Sequence, residues 1–293
     1  MLDKSVGLLG ATSLVGDCLL PLLAKEGWRI TGFTRKRGRA VADNLIWRQV
    51  DPADNASLHG AGEEQIPYWI SLAPIRVLPS YFDRLEACGA RRVVALSSTS
   101  CFTKADSSDP GEIEYARELA AGENSLREWA DKKGIESVIL RPTLIYGLGR
   151  DKNISEIARF IRRFKFFPLL GPAVGLRQPV FTGDVASACL EALTAVQITN
   201  RAYNISGGET ISYRDMITRI FLALGVQPLL LKVPLPLFRL ALACLRLLPR
   251  YKEWTVAMAE RMNRDLVFDH AEATRDLHFS PREFRLDPGD LPG

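Results

Sequence analysis

The most chemically informative stretch of the sequence is a turn of small residues near the N-terminus. An apolar run, Val6–Leu9, leads into Gly10-Ala11-Thr12-Ser13-Leu14-Val15-Gly16, and an amphipathic segment follows. Gly10 allows a sharp turn, and Gly16 allows the helix to pack closely on the sheet, so free N–H groups at the helix start can hold a pyrophosphate. A strand before the turn and a helix after it form the context in which this pattern indicates dinucleotide binding, and a ligand-free turn is the alternative. The predicted contacts are Gly10, Thr12, Ser13, Leu14, Val15 and Gly16.

A basic run after the second apolar stretch distinguishes between two dinucleotides. Thr34-Arg35-Lys36-Arg37 stands where an acidic residue would bind a ribose 2′-hydroxyl. Cationic side chains there favour a 2′-phosphate, because such hydrogen bonds are charge-assisted. The run therefore predicts NADP(H) in preference to NAD(H), with Arg35 as the phosphate contact, and a solvated basic turn is the alternative. Asp51, after the third apolar stretch, is predicted to meet the adenine amino group.

A parallel sheet is needed to bring these residues to one edge. Short apolar runs alternate with amphipathic stretches over the first two thirds of the chain. Strands rich in Val, Ile and Leu on both faces indicate a sheet covered by helices on both sides, hence a doubly wound α/β fold of the Rossmann type. The predicted strands are Val6–Leu9, Arg29–Phe33, Leu45–Val50, Tyr68–Leu72, Arg92–Leu96 and Ser137–Leu140. The predicted helices are Val15–Lys25, Leu78–Ala87 and Glu112–Lys132.

The pattern changes beyond about residue 150, where Pro and Gly punctuate the chain. We predict an NADP-binding core over residues 1–150 and a smaller substrate lobe over 151–293, with about 178–206 returning to the core. Within the lobe, Leu235–Leu248 places Arg239 and Arg246 on one helical face opposite leucines. We interpret it as a packing helix whose arginine stems cover apolar surface; a membrane-surface helix or contact with a lipid-linked substrate is the alternative.

Composition excludes several classes of protein. A net charge of +4, with only Thr34–Arg39 and Arg159–Lys165 approaching a cluster of Lys and Arg, argues against nucleic-acid binding. Five widely spaced cysteines and three scattered histidines indicate no disulfide framework and no metal site, and they suit a reducing compartment. The apolar stretch Leu229–Leu248 carries three cations and two prolines, so no membrane span is expected. Met1-Leu2-Asp3-Lys4 leads directly into a strand-like run, so we expect no signal peptide and a cytoplasmic protein.

Together with segments further along, these residues resemble the extended short-chain dehydrogenase/reductase family, also described as the NAD-dependent epimerase/dehydratase family. The glycine turn matches the family motif except that Ser13 stands at its middle glycine. The similar segments downstream are Ile70–Pro74, Leu96–Ser100, Leu140–Gly147, Arg177–Ala186, Tyr203–Glu209 and Phe268–Pro281. The resemblance implies further cofactor contacts at Leu72, Ala73, Pro74, Ser97, Pro142 and Thr143, and substrate contacts at Ser98, Thr99, Tyr146, Arg177 and Arg261. It also implies a nucleotide-diphosphate sugar as substrate, with Arg177 on its diphosphate, and a homodimer formed through two helices of the core.

The same resemblance implies that Ser98 and Tyr115 are catalytic, and it exposes a gap. The family chemistry uses a lysine four residues after the tyrosine, but Leu119 stands there and no lysine occurs in Glu112–Asn124. Arg117 faces another side of a helix. Without a cation beside it, Tyr115 should keep a pKa of about 10, which suits a proton donor better than a base near neutral pH. The alternatives are structural roles for all three residues: Tyr115 is a helix residue, Ser98 is a hydrogen-bonded turn residue, and Arg177 is packed or ion-paired.

Three functions follow as hypotheses. The leading one is an NADP(H)-dependent oxidoreductase or epimerase that acts on a keto or hydroxyl group of a nucleotide-diphosphate sugar. The missing lysine motivates a second, an NADP(H)-binding sensor or assembly protein without turnover. The apolar lobe alone suggests a third, a reductase of a lipid-like or steroid-like ketone.

Overall fold

The computed structural model describes residues 4–34, 44–49, 65–196, 198–234, 236–237, 240, 247 and 256–293. The strands are β1 Ser5–Leu9, β2 Arg29–Thr34, β3 Leu45–Gln49, β4 Tyr68–Ser71, β5 Arg92–Leu96, β6 Glu136–Pro142, β7 Ile145–Tyr146, β8 Phe167–Leu170, β9 Leu176–Arg177, β10 Val180–Phe181, β11 Arg201–Ile205, β12 Ile211–Ser212 and β13 Leu230–Val233. The α-helices are α1 Leu14–Lys25, α2 Phe82–Ala87, α3 Ser100–Thr103, α4 Pro110–Lys133, α5 Ile154–Phe164, α6 Thr182–Thr194, α7 Tyr213–Ala223, α8 Val256–Glu260 and α9 Ala271–Leu277. Short 3-10 helices cover Ile75–Tyr81, Arg261–Asn263 and Pro288–Asp290.

The main sheet is wholly parallel. Within the described residues it has seven strands in the order β3-β2-β1-β4-β5-β6-β11. The chain builds outward from β1 to β3 and then crosses to β4, so the direction of winding reverses between β1 and β4. Ligands of doubly wound sheets bind at the carboxyl ends of the strands at such a reversal. The predicted fold class is confirmed.

Helices cover both faces of this sheet. On one face α1 packs against α6, and Val15, Leu19 and Leu193 belong to the apolar core there. On the other face α4 packs against the 75–81 turn. Every residue of β1 is buried. That double coverage is why the strands are apolar on both sides.

The predicted elements of the first half lie close to the observed ones. Each of the six predicted strands is present, with described ends within two residues of the prediction. The stretch Leu78–Ala87 differs, because it continues a 3-10 helix from Ile75 to Tyr81 and only then becomes α2. Pro79 lies in this 3-10 helix and has no N–H to donate, which disfavours a continuous α-helix through it.

The C-terminal lobe has its own apolar core. It is formed mainly by α5, α7 and the short strand pairs β8–β13 and β9–β12, with Phe160 and Phe221 fully enclosed. Part of the second half also joins the main sheet, since β11 pairs with β6 and α6 lies on α1. Most of Leu235–Leu248 lies outside the described residues, so the interpretation of that segment stays a prediction.

Candidate functional site

The glycine turn lies at the reversal point of the sheet, and Gly10 is the residue that makes it possible. Gly10 has a φ of +75°, in the left-handed region that favours glycine. A Cβ atom there would lie 2.7 Å from Ala73 N and 2.9 Å from the Leu72 carbonyl carbon. The turn after β1 therefore touches the turn after β4. This contact brings the predicted cofactor residues Leu72, Ala73 and Pro74 beside Gly10.

Gly16 allows a close approach different from the predicted one. A Cβ atom on Gly16 would lie 2.2 Å from the carbonyl oxygen of Ala11. The missing side chain thus lets the first turn of α1 fold over the glycine turn itself. Packing of the helix on the sheet depends instead on Val15, Leu19 and Leu23, which are buried on that face.

Ser13, at the place of the family's middle glycine, is the N-cap of α1. Its Oγ accepts a hydrogen bond from Gly16 N at 3.1 Å, and its own N–H donates to Gly10 O at 3.0 Å. The N–H groups of Leu14 and Val15 lie in the first helical turn, where no intrahelical acceptor exists. These two N–H groups are the donors that can meet a pyrophosphate. Arg35 and Asp51 lie outside the described residues, and their roles stay predictions.

Three hydroxyl residues follow β5, and they take different partners. Ser97 Oγ donates to Glu123 Oε1 at 2.6 Å, Ser98 Oγ accepts from Ser100 N at 3.1 Å, and Thr99 Oγ1 donates to Pro142 O at 3.3 Å. The turn after β5 therefore lies against the end of β6, where Pro142 and Thr143 were predicted as cofactor contacts. Along the carboxyl edge of the sheet, the turns after β1, β4, β5 and β6 thus lie in sequence. Ser97 donates its hydroxyl to a buried carboxylate, and Thr99 is itself buried. Of the three residues, Ser98 alone is partly exposed and has a hydroxyl that is free to donate.

Glu123 is the centre of an ionic network that the motifs did not reveal. Its side chain is 3% exposed, and Arg141 Nε donates to it at 2.8 Å while Arg127 lies 3.1 Å away. A second contact joins the Arg141 guanidinium to the same carboxylate. Burial raises the pKa of Glu123, but hydrogen bonds from Arg141 and Ser97 outweigh it and hold the pKa below its ordinary value. A charged residue on the apolar face of α4, four residues after Leu119, was the signal available in the sequence.

Tyr115 lies on the first half of α4, and its environment corrects the sequence-based expectation. Its ring is half-buried, and burial raises the phenol pKa above the ordinary value, although Arg76 opposes the shift. The ammonium of Lys104 lies 5.0 Å from the ring centroid. Cations therefore do approach Tyr115, from the segment after α3 and from the 75–81 turn rather than from α4. The expectation that no cation lies beside it was wrong because it considered only the tyrosine's own helix.

Leu119 occupies the lysine position as a core residue. It is 5% exposed and belongs to the same apolar cluster as Ile75, Leu78 and Ala95. One helical turn along from Tyr115, the chain therefore offers apolar surface instead of an ammonium group. Nothing at position 119 can lower the phenol pKa or bind a ribose hydroxyl.

Three residues predicted to bind substrate already have partners within the chain. Arg177 is 5% exposed, and its guanidinium donates to Leu176 O at 2.7 Å, to Arg264 O at 2.8 Å and to Arg261 O. Burial lowers the Arg177 pKa to about 10. Tyr146 is fully buried and contacts the ring of Phe284, with the centroids 5.0 Å apart. Arg261 forms an ion pair with Glu112. Of these three residues, Arg261 alone presents a charged group that an incoming anion could take over from a side-chain partner.

Two further classes of site are not found in the described part of the chain. No group of three or more His, Cys, Asp or Glu side chains there could hold a metal ion. Among the same residues, no helix is both long and apolar enough to span a membrane.

The fold is similar to that of solved epimerase structures. The fold matches Epimerase Mth375 of Methanothermobacter thermautotrophicus with a TM-score of 0.74 at 16% identity, covering 98% of this chain and 89% of that one. It matches UDP-glucuronic acid 4-epimerase of Bacillus cereus, solved in complex with NAD, with a TM-score of 0.70 at 16% identity over 98% and 95% of the two chains. At these identities the comparison shows a shared fold.

Sequence comparison agrees with the fold. The model of the NAD dependent epimerase/dehydratase family matches residues 80–206. UDP-glucose 4-epimerase of Vibrio cholerae is 22% identical over 161 residues, which is 52% of this chain and 49% of that protein. The chain spans about half the length of the curated relatives it matches. The resemblance to the NAD-dependent epimerase/dehydratase family is therefore confirmed.

Proposed function

We propose that the chain is an NADP(H)-dependent oxidoreductase or epimerase that acts on a keto or hydroxyl group of a nucleotide-diphosphate sugar. The observation that carries this proposal is the turn at the sheet's reversal point, where Gly10 touches the Ala73 turn and the N–H groups of Leu14 and Val15 lack helical acceptors. A side chain at Gly10 or Gly16 would collide with backbone, so the turn can be this tight only with glycine at both positions. The tight turn leaves the two N–H groups able to bind a pyrophosphate. The choice of NADP(H) over NAD(H) rests on Arg35.

The residues at the carboxyl edge suggest how the chemistry is divided. A bound nicotinamide supplies hydride transfer. Ser98, at the end of β5, orients the substrate oxygen through its hydroxyl. Tyr115 donates a proton to that oxygen, since burial keeps its phenol protonated at neutral pH. A protonated phenol is an acid and not a base, so at neutral pH it suits protonation of the substrate oxygen as a carbonyl is reduced.

The lobe residues suggest which groups hold an anionic substrate. Arg177 has three backbone carbonyls as partners, so we assign it the structural role of shaping the 261–264 turn. Arg261 and Arg264 pair with side-chain carboxylates and can exchange them for phosphate oxygens, which offer the same acceptor chemistry. We therefore infer that Arg261 and Arg264 contact the substrate diphosphate.

A second candidate is an NADP(H)-binding protein without turnover. The buried Leu119 favours it, since the ammonium that the family places one turn after the tyrosine is replaced by a core side chain. The two candidates share the cofactor site and differ only in chemistry. The homodimer implied by the family resemblance and the cytoplasmic location stay predictions for either candidate.

The deciding experiment separates cofactor binding from turnover. Titration of the protein with NADPH and with NADH, followed by nicotinamide fluorescence, should show tighter binding of NADPH, and Arg35→Ala should remove most of the difference. UDP-glucose and UDP-glucuronic acid are then supplied with either cofactor. Oxidation or reduction is read at the reduced-nicotinamide absorbance band, and epimers are separated by chromatography. Tight NADPH binding without any product would establish the second candidate, and failure to bind either dinucleotide would reject both.

A further inference from the structure

Polar contacts join two segments that are far apart in the chain. The segment from Lys104 to Glu112 connects α3 to the first turn of α4, so it leads from Ser98 towards Tyr115. The turn from Glu260 to Arg264 belongs to the C-terminal lobe. Arg264 donates to both carboxylate oxygens of Asp106 at 3.0 Å. Ser108 Oγ donates to Glu260 Oε2 at 2.8 Å, and Arg261 pairs with Glu112.

Glu112 is the best-enclosed member of this set. Its side chain is 11% exposed and that of Arg261 is 15% exposed. Ser107 Oγ donates to Glu112 at 2.7 Å, and Lys104 Nζ lies 3.5 Å from its other oxygen. Burial raises the pKa of Glu112, but hydrogen bonds from Arg261 and Ser107 outweigh it, so the carboxyl stays ionised at neutral pH. An ionised carboxylate can be removed from Arg261 without becoming unpaired, because Lys104 and Ser107 remain beside it.

The lobe side of the contact is held rigidly. Arg177 donates to the carbonyls of Arg261 and Arg264. The Asn263 side chain donates to Leu170 O at 2.7 Å and accepts from Ala173 N at 2.8 Å. These bonds tie the turn to the lobe's own strands and loops, so a displacement of the turn is a displacement of the lobe.

The core side of the contact reaches the candidate catalytic tyrosine. Lys104, which pairs with Glu112, lies against the Tyr115 ring. A chain of contacts therefore joins Arg261, through Glu112 and Lys104, to the ring of Tyr115.

We propose that these ion pairs form a clasp, residues 104–112 against 260–264, that holds the lobe closed in the ligand-free chain, and that an anionic substrate opens it by displacing Glu112 and Asp106 from Arg261 and Arg264. The proposal rests on the proposed function only in taking the substrate to be an anion. Glu112 is then a positioning residue and an internal competitor of the substrate. Competition gives a signed expectation, because removing the competing carboxylate must strengthen anion binding, whereas loss of a merely structural contact would weaken it.

The first test measures affinity for UDP by calorimetry in the absence of nicotinamide cofactor. We expect Glu112→Gln to tighten UDP binding about tenfold, which is about 1.4 kcal/mol. Asp106→Asn, at a side chain 69% exposed, should tighten it by a smaller factor and cannot disturb the core. Glu114→Gln is the matched control, since it removes the same charge two residues along α4. Within the described part of the chain, that carboxylate pairs only with exposed Arg117. Unchanged or weaker UDP binding in Glu112→Gln, or equal tightening in Glu114→Gln, would overturn the proposal.

The second test measures closure itself by hydrogen exchange. In the ligand-free protein, Glu112→Gln should speed exchange about tenfold in peptides that cover 260–266 as well as in those that cover 104–112. Inorganic pyrophosphate should produce the same change in the wild-type protein. A change confined to the substituted segment, or no response to pyrophosphate, would refute the clasp. Neither test requires turnover, so a chain that binds UDP but converts no nucleotide sugar would fail the proposed function and leave the clasp established.

Discussion

Two glycines with the same φ allow the contact at the glycine turn to be measured by itself. Gly10 and Gly27 both have a φ of +75°, but a Cβ atom on Gly27 would meet nothing within 4 Å, whereas on Gly10 it would lie 2.7 Å from Ala73 N. Alanine at Gly27 should therefore lose only the left-handed strain, about 1–2 kcal/mol. Alanine at Gly10 adds an overlap with backbone that cannot rotate away, and overpacking of this kind costs about 1–3 kcal/mol more.

The assay compares the two variants in stability and in NADPH affinity. Gly10→Ala should have a Tm several degrees below that of Gly27→Ala, since each kcal/mol corresponds to about 2–4 °C at this size. It should also weaken NADPH binding at least tenfold, because the N–H groups of Leu14 and Val15 move with the turn and one charge-assisted hydrogen bond contributes about 1.5–3 kcal/mol. Gly27→Ala should bind NADPH as the wild type does. Equal losses of stability would refute the tight contact at Gly10, and equal NADPH affinity in the two variants would refute the assignment of this turn to the cofactor.

Three further substitutions test other parts of the site. Glu123→Gln should lower the free energy of unfolding by about 3 kcal/mol at pH 7, because it leaves Arg141 without its anionic partner. The pKa of Glu123 is lower in the folded state than its ordinary value of 4.5. The network's contribution to the free energy of unfolding is therefore fully present above that value and is lost as the pH falls through the folded pKa. Urea denaturation from pH 7 to 3 should show this loss of stability in the wild type and a smaller loss in the variant. Leu119→Lys should raise kcat with any accepted substrate at the expense of stability, since an ammonium replaces a side chain that is 5% exposed, and Leu119→Met controls for volume. Ser13→Gly should lose only a few tenths of a kcal/mol of stability and should tighten NADPH binding, measured by fluorescence, because the backbone can then approach the pyrophosphate more closely.

Each of these has a clear contrary result. A Glu123→Gln variant with the wild-type pH dependence would show that the buried carboxylate is not the titrating group. If Leu119→Lys and Leu119→Met have the same kcat, the missing ammonium does not limit the chemistry. Weaker NADPH binding by Ser13→Gly would mean that the serine hydroxyl is itself a phosphate contact.

Local patterns of the sequence were sufficient for the sheet and its glycine turn. Apolar runs such as Arg92–Leu96 predict strands because burial on both faces leaves its mark on consecutive residues. The role of Gly10 can also be predicted from the sequence, because the requirement for a positive φ acts on a single residue and selects glycine there. The fold class and the place of the turn therefore followed from short-range physics.

The electrostatics of the site required the tertiary structure. The cationic groups near Tyr115 are those of Lys104 and Arg76, which belong to other elements. Glu112 pairs with Arg261, which lies 149 residues further along the chain. A charged residue in the sequence indicates that an opposite charge is needed, but it does not indicate which residue supplies it. Lys, Arg, Asp and Glu pair in many combinations of similar energy. Arg177 shows the same limit: its sequence context resembles a substrate contact, yet folding surrounds it with backbone carbonyls. The sequence by itself thus determined the scaffold and the glycine turn, whereas the pairing of charges around Tyr115 was decided only when distant segments met.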